Sequence, residues 1–273
     1  MSPNSSGFAN VNNALIYYES TGSGQPFIMI HAGIADCRQW NNEFIQFSNF
    51  FQVIRYDMRG YGRSDPVQGD FSHLQDLTAL LEYLHINGPA ILMGCSMGGS
   101  LALDFALEYP SKVKALIMVD AGPTGLTLDV PVLSEFAEIE KNYNEGNLDL
   151  VVELETHLWF DGIKRTPQQV NTGMRELVYE MNRNGLMHDA KRLGKRLPDT
   201  KTPAVERLEE LNLPMLIIVG AYDTPYLLAA ATYMVDKIPT AQKVIIEDAA
   251  HLPNLDHPIE FQNIVAKFLD LSR

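Results

Sequence analysis

Serine, aspartate and histidine, in that chain order and each in a glycine- or alanine-rich setting, pose the question of chemistry in this sequence. Ser96 stands in Gly94-Cys95-Ser96-Met97-Gly98, Asp223 in Gly220-Ala221-Tyr222-Asp223, and His251 in Asp248-Ala249-Ala250-His251-Leu252-Pro253. A serine hydroxyl keeps its proton at neutral pH, so as a nucleophile it needs a base that titrates near neutrality. The base in turn needs a carboxylate to hold its tautomer. The three residues therefore suit acyl transfer in two steps, with His251 first taking the Ser96 proton and then activating water. A tetrahedral oxyanion also needs N–H donors. Met97, at the start of the helix expected after Ser96, offers its amide as one. Gly33, in the small loop His31-Ala32-Gly33-Ile34 that follows a strand, is the expected second donor.

Other groups compete for these roles. Asp120, ending the strand after the Ser96 helix, is the rival for the acid, with Asp223 preferred. His31 is expected to brace its loop, His257 to mark a helix start before Pro258, and Asp57 with Arg59 to pin a loop. A glycine-rich turn with an idle serine is the plain alternative for the G-x-S-x-G pattern taken alone. Two nucleotide readings fail. Ser100 and Leu101 follow Gly99 where a phosphate loop needs Lys and then Ser or Thr, and the turn lacks G-x-G-x-x-G. The seven histidines show no ligand spacing, and H-E-x-x-H, C-x-x-C and H-x-H-x-D-H are absent, so neither a metal nor a cofactor is expected.

The elements that must position these residues alternate strand with helix. An apolar strand from Ala90 runs into Ser96, and a helix with Leu101, Ala102, Phe105 and Ala106 on one face leaves it. The flanking glycines suit a strained turn between closely packed elements. Leu15 to Tyr18 and Phe27 to Ile30 read as an antiparallel hairpin turning at Gly22 and Gly24. Trp40 to Phe47 reads as a short helix and Val53 to Tyr56 as a strand. Ser72, with Gln75 at the capping-box position, starts a helix that buries Leu74, Leu77, Leu81 and Leu84 and stops at Gly88-Pro89. Ala115 to Val119, Met215 to Val219 and Lys243 to Glu247 are further strands. A last helix from Pro258 presents Phe261, Ile264, Val265 and Phe268. Strands that alternate with helices and are nearly all apolar imply an α/β protein, its mostly parallel sheet covered on both faces. Ser96, Asp223 and His251 all follow strands, at the edge where such sheets bind ligands.

Past Gly122 the alternation stops. Pro131 to Tyr143, Leu148 to Leu158 and Pro167 to Asn184 read as helices closed by Gly146, Gly162 and Gly185, with helix continuing to about Leu211. This is the pattern of an inserted helical cap, giving residues 1–123 as the first part of the core, 124–205 as the cap and 206–273 as the second part. Trp159, Phe136, Tyr143 and the cap methionines are candidates for the pocket wall, with packing inside the cap as their plain alternative. Trp159 is taken as the substrate-binding residue.

The motifs together resemble the α/β-hydrolase superfamily along essentially the whole chain. Members carry a histidine-glycine oxyanion loop, a D-x-R-G-x-G-x-S segment, the nucleophile elbow, G-x-x-D and a final histidine. Here these are His31 to Gly33, Asp57 to Ser64, Gly94 to Gly98, Gly220 to Asp223, and His251. Ala32 departs from the usual glycine, and Gly33 is expected still to offer its amide. Trp159-Phe160-Asp161-Gly162 with Arg165, and His251-Leu252-Pro253-Asn254-Leu255, look like segments of proteins similar to 3-oxoadipate enol-lactonase. The resemblance implies a serine hydrolase of small carboxylic esters or lactones with the α/β-hydrolase fold. C–C bond hydrolysis of a diketone, or cofactor-free perhydrolysis, is the neighbouring reading. A small-molecule receptor on the same scaffold is the reading from another class.

Length and composition fit this frame. The 273 residues suffice for one large domain with an insertion, and 46% hydrophobic with 20% charged residues is ordinary for a globular chain. A net charge of −13 argues against nucleic acid and anionic membrane as partners. Cys37 and Cys95 are expected as reduced thiols, because pairing Cys95 would distort the turn around Ser96. MSPNSSGFAN lacks the basic and apolar parts of a leader, and no apolar run approaches about 18 residues, so a cytoplasmic location is expected.

Overall fold

The computed structural model describes residues 4–191 and 193–271. Its strands are β1 (Asn4–Val11), β2 (Ala14–Gly22), β3 (Pro26–Ile30), β4 (Gln52–Tyr56), β5 (Ala90–Cys95), β6 (Val113–Val119), β7 (Met215–Gly220) and β8 (Ala241–Ile246). Among the described residues they form one eight-stranded sheet in the order β1-β2-β4-β3-β5-β6-β7-β8. β1 and β2 pair antiparallel, as do β2 and β4, and every other pairing is parallel. The helices are α1 (Asn41–Phe47), α2 (His73–Tyr83), α3 (Met97–Glu108), α4 (Ser134–Glu145), α5 (Leu148–Thr156), α6 (Thr172–Asp189), α7 (Pro225–Lys237), α8 (Pro253–Asp256) and α9 (Pro258–Phe268).

The central strands are buried on both sides, and their alternation sorts the core into two layers. Ile28 and Ile30 of β3 face a cluster with Leu77 and Leu81 of α2, Leu101 and Phe105 of α3, and Met234 of α7. Phe27 and Met29 face the opposite cluster, with Phe47 of α1 and with Phe261 and Val265 of α9. Each layer removes the apolar face of its helices from water, at about 25 cal/mol per Å² of buried apolar surface. The expected parallel sheet with two covered faces is thus present, and the Ser72 side chain accepts from the Gln75 amide to cap α2.

Several local expectations are corrected. β2 and β3 are not a hairpin, because β4 lies between them and Tyr18 of β2 faces Tyr56 of β4. The hairpin partner of β2 is β1, reached through Asn12 and Asn13, both at positive φ as a tight two-residue turn requires. Gly22 serves a close crossing instead, since a Cβ there would lie 2.2 Å from the Phe51 carbonyl oxygen. Gly185 does not end a helix but lies within α6, where a Cβ would approach the Tyr61 ring to 3.3 Å. The stretch before Leu211 is irregular, with 3-10 turns at Ala204–Glu206 and Leu208–Glu210. It is tied to the segment before α2 by bridges Gln68 to Leu193 and Phe71 to Arg196. Gly146 does close α4 at φ 79°. Among the described residues no helix is long and apolar enough to cross a membrane.

Candidate active site

The turn from β5 into α3 leaves almost no room. Ser96 sits at φ 53° and ψ −118°, a conformation that costs a non-glycine residue about 1–3 kcal/mol and persists where its surroundings enforce it. The Ser96 amide donates to the Val119 carbonyl at 2.8 Å, and its own carbonyl accepts from Ser100 N at 2.9 Å. Cβ atoms on the flanking glycines would collide with backbone. One on Gly94 would lie 2.2 Å from Gly98 O, and one on Gly98 2.5 Å from the carbonyl oxygens of Ile30 and His31. The glycines thus seat α3 against β3 and β5, with Ser96 at the apex.

Asp223 and His251 come to the same edge from the ends of β7 and β8. His251 Nδ1 lies 2.7 Å from Asp223 Oδ2, and both side chains are buried. Asp223 Oδ1 also accepts from the Thr224 amide at 2.6 Å, and the Asp223 amide donates to Gly220 O. With Nδ1 on the carboxylate, Nε2 is the free nitrogen of the imidazole. Asp120 is brought in as well. One of its carboxyl oxygens, one of Asp223 and a His251 ring nitrogen lie within 4.8 Å of one another.

On the other side of Ser96, Met97 is the first residue of α3, so its amide has no acceptor within the helix. Gly33 faces it, since a Cβ on Gly33 would stand 3.9 Å from Met97 Cβ. The loop of Gly33 is braced from several directions. His31 Nδ1 lies 2.7 Å from Ala32 O while His31 Nε2 accepts from Met58 N at 2.9 Å, and burial pulls the pKa of this imidazole down. The expected bracing role of His31 is therefore met by geometry. Asp57 likewise pins backbone, accepting from Cys37 N and Arg63 N, and Arg59 pairs with Asp76.

A buried network under this loop was not expected from the sequence. Gln39 Oε1 accepts from Ala32 N at 2.8 Å, and Gln39 Nε2 donates to Asn254 Oδ1. Asn254 Nδ2 donates to Gln39 O and to Glu43 Oε2, and Gln262 Nε2 donates to Glu43 Oε1. The Gly33 loop and the segment after His251 are thereby joined through side chains. Burial pushes the Glu43 carboxyl up to about 7. The signal available beforehand was the spacing of Gln39 and Glu43, four apart and beside Trp40 and Phe47 on a face meant for the core.

The wall above Ser96 comes from the segment between β6 and β7. α5 ends in a π-helical turn, His157–Asp161, which swings the Trp159 ring to 4.4 Å from the His251 ring. The Trp159 carbonyl accepts from His251 N, and Arg165 ties the turn down by bonding Asp161 O, Phe160 O and Asp256 Oδ2. Ser96, His251 and Trp159 line a cavity of about 360 Å³ with Phe136, Leu128 and Tyr226. A second cavity of about 350 Å³, polar in part, opens beside Gly33 and Met97 and reaches Asn182 and His73. Tyr143 instead bonds Asp189, and Met174 and Met181 pack into the core. His257 precedes α9 without capping it through its side chain. Both cysteines are free and buried.

Residues 25–258 match the family described as the alpha/beta hydrolase fold. The chain is an α/β hydrolase. A 2-hydroxy-6-oxononadienedioate/2-hydroxy-6-oxononatrienedioate hydrolase of Burkholderia vietnamiensis is 27% identical to it, over 93% of this chain and 90% of that protein. Among solved structures, an enol-lactonase of Burkholderia xenovorans superposes with a TM-score of 0.78 at 18% identity, over 96% of this chain and 99% of its own. A thermophilic esterase of Thermogutta terrifontis gives 0.75 at 23% identity, over 98% of both.

Proposed function

We propose that this α/β hydrolase cleaves a carboxylic ester or lactone of a small molecule through an acyl-enzyme on Ser96. One observation carries the reading: Ser96 and His251 share the wall of one cavity, and His251 is held at 2.7 Å by the carboxylate of Asp223. In this reading His251 Nε2 accepts the Ser96 proton as Oγ attacks the carbonyl. Asp223 holds the Nδ1 tautomer and stabilises the imidazolium. The amides of Met97 and Gly33 receive the oxyanion, and each such donor contributes about 3 kcal/mol to the transition state. Protonated His251 then releases the alcohol, and a water activated by the same nitrogen returns Ser96 to its resting state.

Residues 124–205 act as a cap whose Trp159 and Phe136 form the roof over the reacting ester. A chamber of about 360 Å³ suits a small substrate with an apolar group. A cytoplasmic location completes the reading. The relatives named as hydrolases of 2-hydroxy-6-oxo acids support a second reading, C–C hydrolysis with the same three side chains. Turnover of p-nitrophenyl esters, small lactones and a 2-hydroxy-6-oxo-dienoate, each with the Ser96→Ala variant as control, separates the two. Ester or lactone turnover that disappears in Ser96→Ala supports the first. Turnover of the oxo-acid alone replaces it with the second.

A further inference from the structure

Asp120 has no assigned part in the chemistry above, yet it is among the most completely buried charged residue types in the chain, 1% exposed at the end of β6. Its Oδ1 accepts from Gly220 N at 2.9 Å, which fastens the turn that carries Asp223. Its Oδ2 is buried with no donor in reach. The neighbouring acid is Asp223, itself 3% exposed, with a carboxyl oxygen within 4.8 Å of an Asp120 carboxyl oxygen. Two carboxylates are acceptors only and cannot bond each other, whereas one carboxylic acid and one carboxylate can. Asp223 already spends Oδ1 on Thr224 N and Oδ2 on His251. Among the described residues neither carboxyl is ion-paired to a lysine or arginine, and the ring of His251 is the one basic side chain bonded to the pair. The titratable groups around Asp120 are Asp223 from β7, His251 from β8 and Cys95 from β5, whose thiol burial holds protonated. Burial and the Asp223 charge together push Asp120 well above the usual carboxylate range. The backbone supports the arrangement, since Asp120 is held at φ 44° while its amide donates to Ile218 O.

We propose that Asp120 is a neutral acid that donates its proton in a hydrogen bond to Asp223, making it a positioning residue behind the Ser96–His251–Asp223 set. The bond turns the Asp223 carboxylate toward His251 Nδ1. It also leaves the acid end with one negative charge, so the imidazolium formed during acyl transfer meets a single shared charge. This inference rests on the serine-hydrolase reading for its kinetic consequence but not for the proton itself.

The test uses Asp120→Asn and Asp120→Leu in the full chain. An asparagine amide donates where the acid O–H did, so Asp120→Asn should keep kcat/KM for a p-nitrophenyl ester within about threefold, with the acid limb of its pH profile unmoved. Asp120→Leu removes the donor, and should lower kcat with little change in KM while moving the acid limb to higher pH. An acid limb that falls by about one pH unit or more in Asp120→Asn would mean that Asp120 is charged in the wild type, and would overturn the proposal. So would a loss in Asp120→Asn as deep as in Asp223→Asn, which would make Asp120 the acting acid. The proton is read without turnover by infrared difference spectroscopy of wild type against Asp120→Asn at pH 8. A protonated carboxyl C=O band present only in the wild type supports the pair, even if no ester is hydrolysed and the functional reading fails. Absence of that band refutes the pair.

Discussion

Glu43 offers a prediction in which the sign and size both follow from the structure. Its side chain is fully buried beneath the Gly33 loop, and burial raises its pKa from 4.5 to about 7. In the unfolded chain the carboxyl titrates at its ordinary value, so between pH 4.5 and about 7 the native state binds more protons than the unfolded state. Stability then falls as pH rises. The contribution is fully present below 4.5 and is lost by about pH 7. At about 1.36 kcal/mol per unit, this amounts to about 3 kcal/mol across the window. Glu43→Gln keeps one carbonyl oxygen to accept from Asn254 Nδ2, bonds Gln262 once that part-buried amide turns to present its oxygen to the new NH2, and carries no charge at any pH. It should match wild type within about 1 kcal/mol at pH 4.5 and exceed it by about 2–3 kcal/mol at pH 8. Urea denaturation followed by circular dichroism at both pH values measures this. Asp104, which burial raises to about 6, titrates equally in both proteins and cancels in the comparison. Parallel pH dependences in the two proteins would refute the reasoning.

Gly98→Ala places a methyl group 2.5 Å from the carbonyl oxygens of Ile30 and His31. It should destabilise by more than about 2 kcal/mol and depress kcat, because relief requires α3 or the Gly33 loop to shift; an unchanged Tm would contradict the packing. Arg165→Ala strands the buried Asp256 carboxylate, whose ion pair is 2.6 Å long with both side chains under 10% exposed. The loss should be about 3 kcal/mol by thermal unfolding, and adding Asp256→Ala should restore part of it. Trp159→Ala removes the ring over His251, and should raise KM more than it lowers kcat in ester assays; an unchanged KM would remove Trp159 from the substrate wall.

The sheet and the edge where Ser96, Asp223 and His251 meet are legible in the sequence for physical reasons. Apolar runs such as Met215 to Val219 bury on both faces, and the loop residues that end them all lie on one edge. Gly94 and Gly98 are legible because a Cβ fits neither position. β1 escapes notice because an edge strand reading Asn4-Ser5-Ser6-Gly7-Phe8 carries little apolar alternation. β2 and β3 mislead because neighbours in sequence are separated in the sheet by β4, a long-range pairing that no local signal encodes. The π-helical turn at Trp159 depends on Arg165 reaching Asp256, 91 residues away. Asp120 and Asp223 were separable as rivals by loop position, but not as partners, since their contact exists only once β6 and β7 are adjacent.

The central claim is that Ser96 is an activated nucleophile. Intact-mass measurement after a fluorophosphonate, with peptide mapping of the adduct, tests it most directly. One adduct is expected, on Ser96, absent from folded Ser96→Ala and strongly slowed in His251→Ala. A folded wild-type protein that takes no adduct, or takes it on another residue, would contradict it.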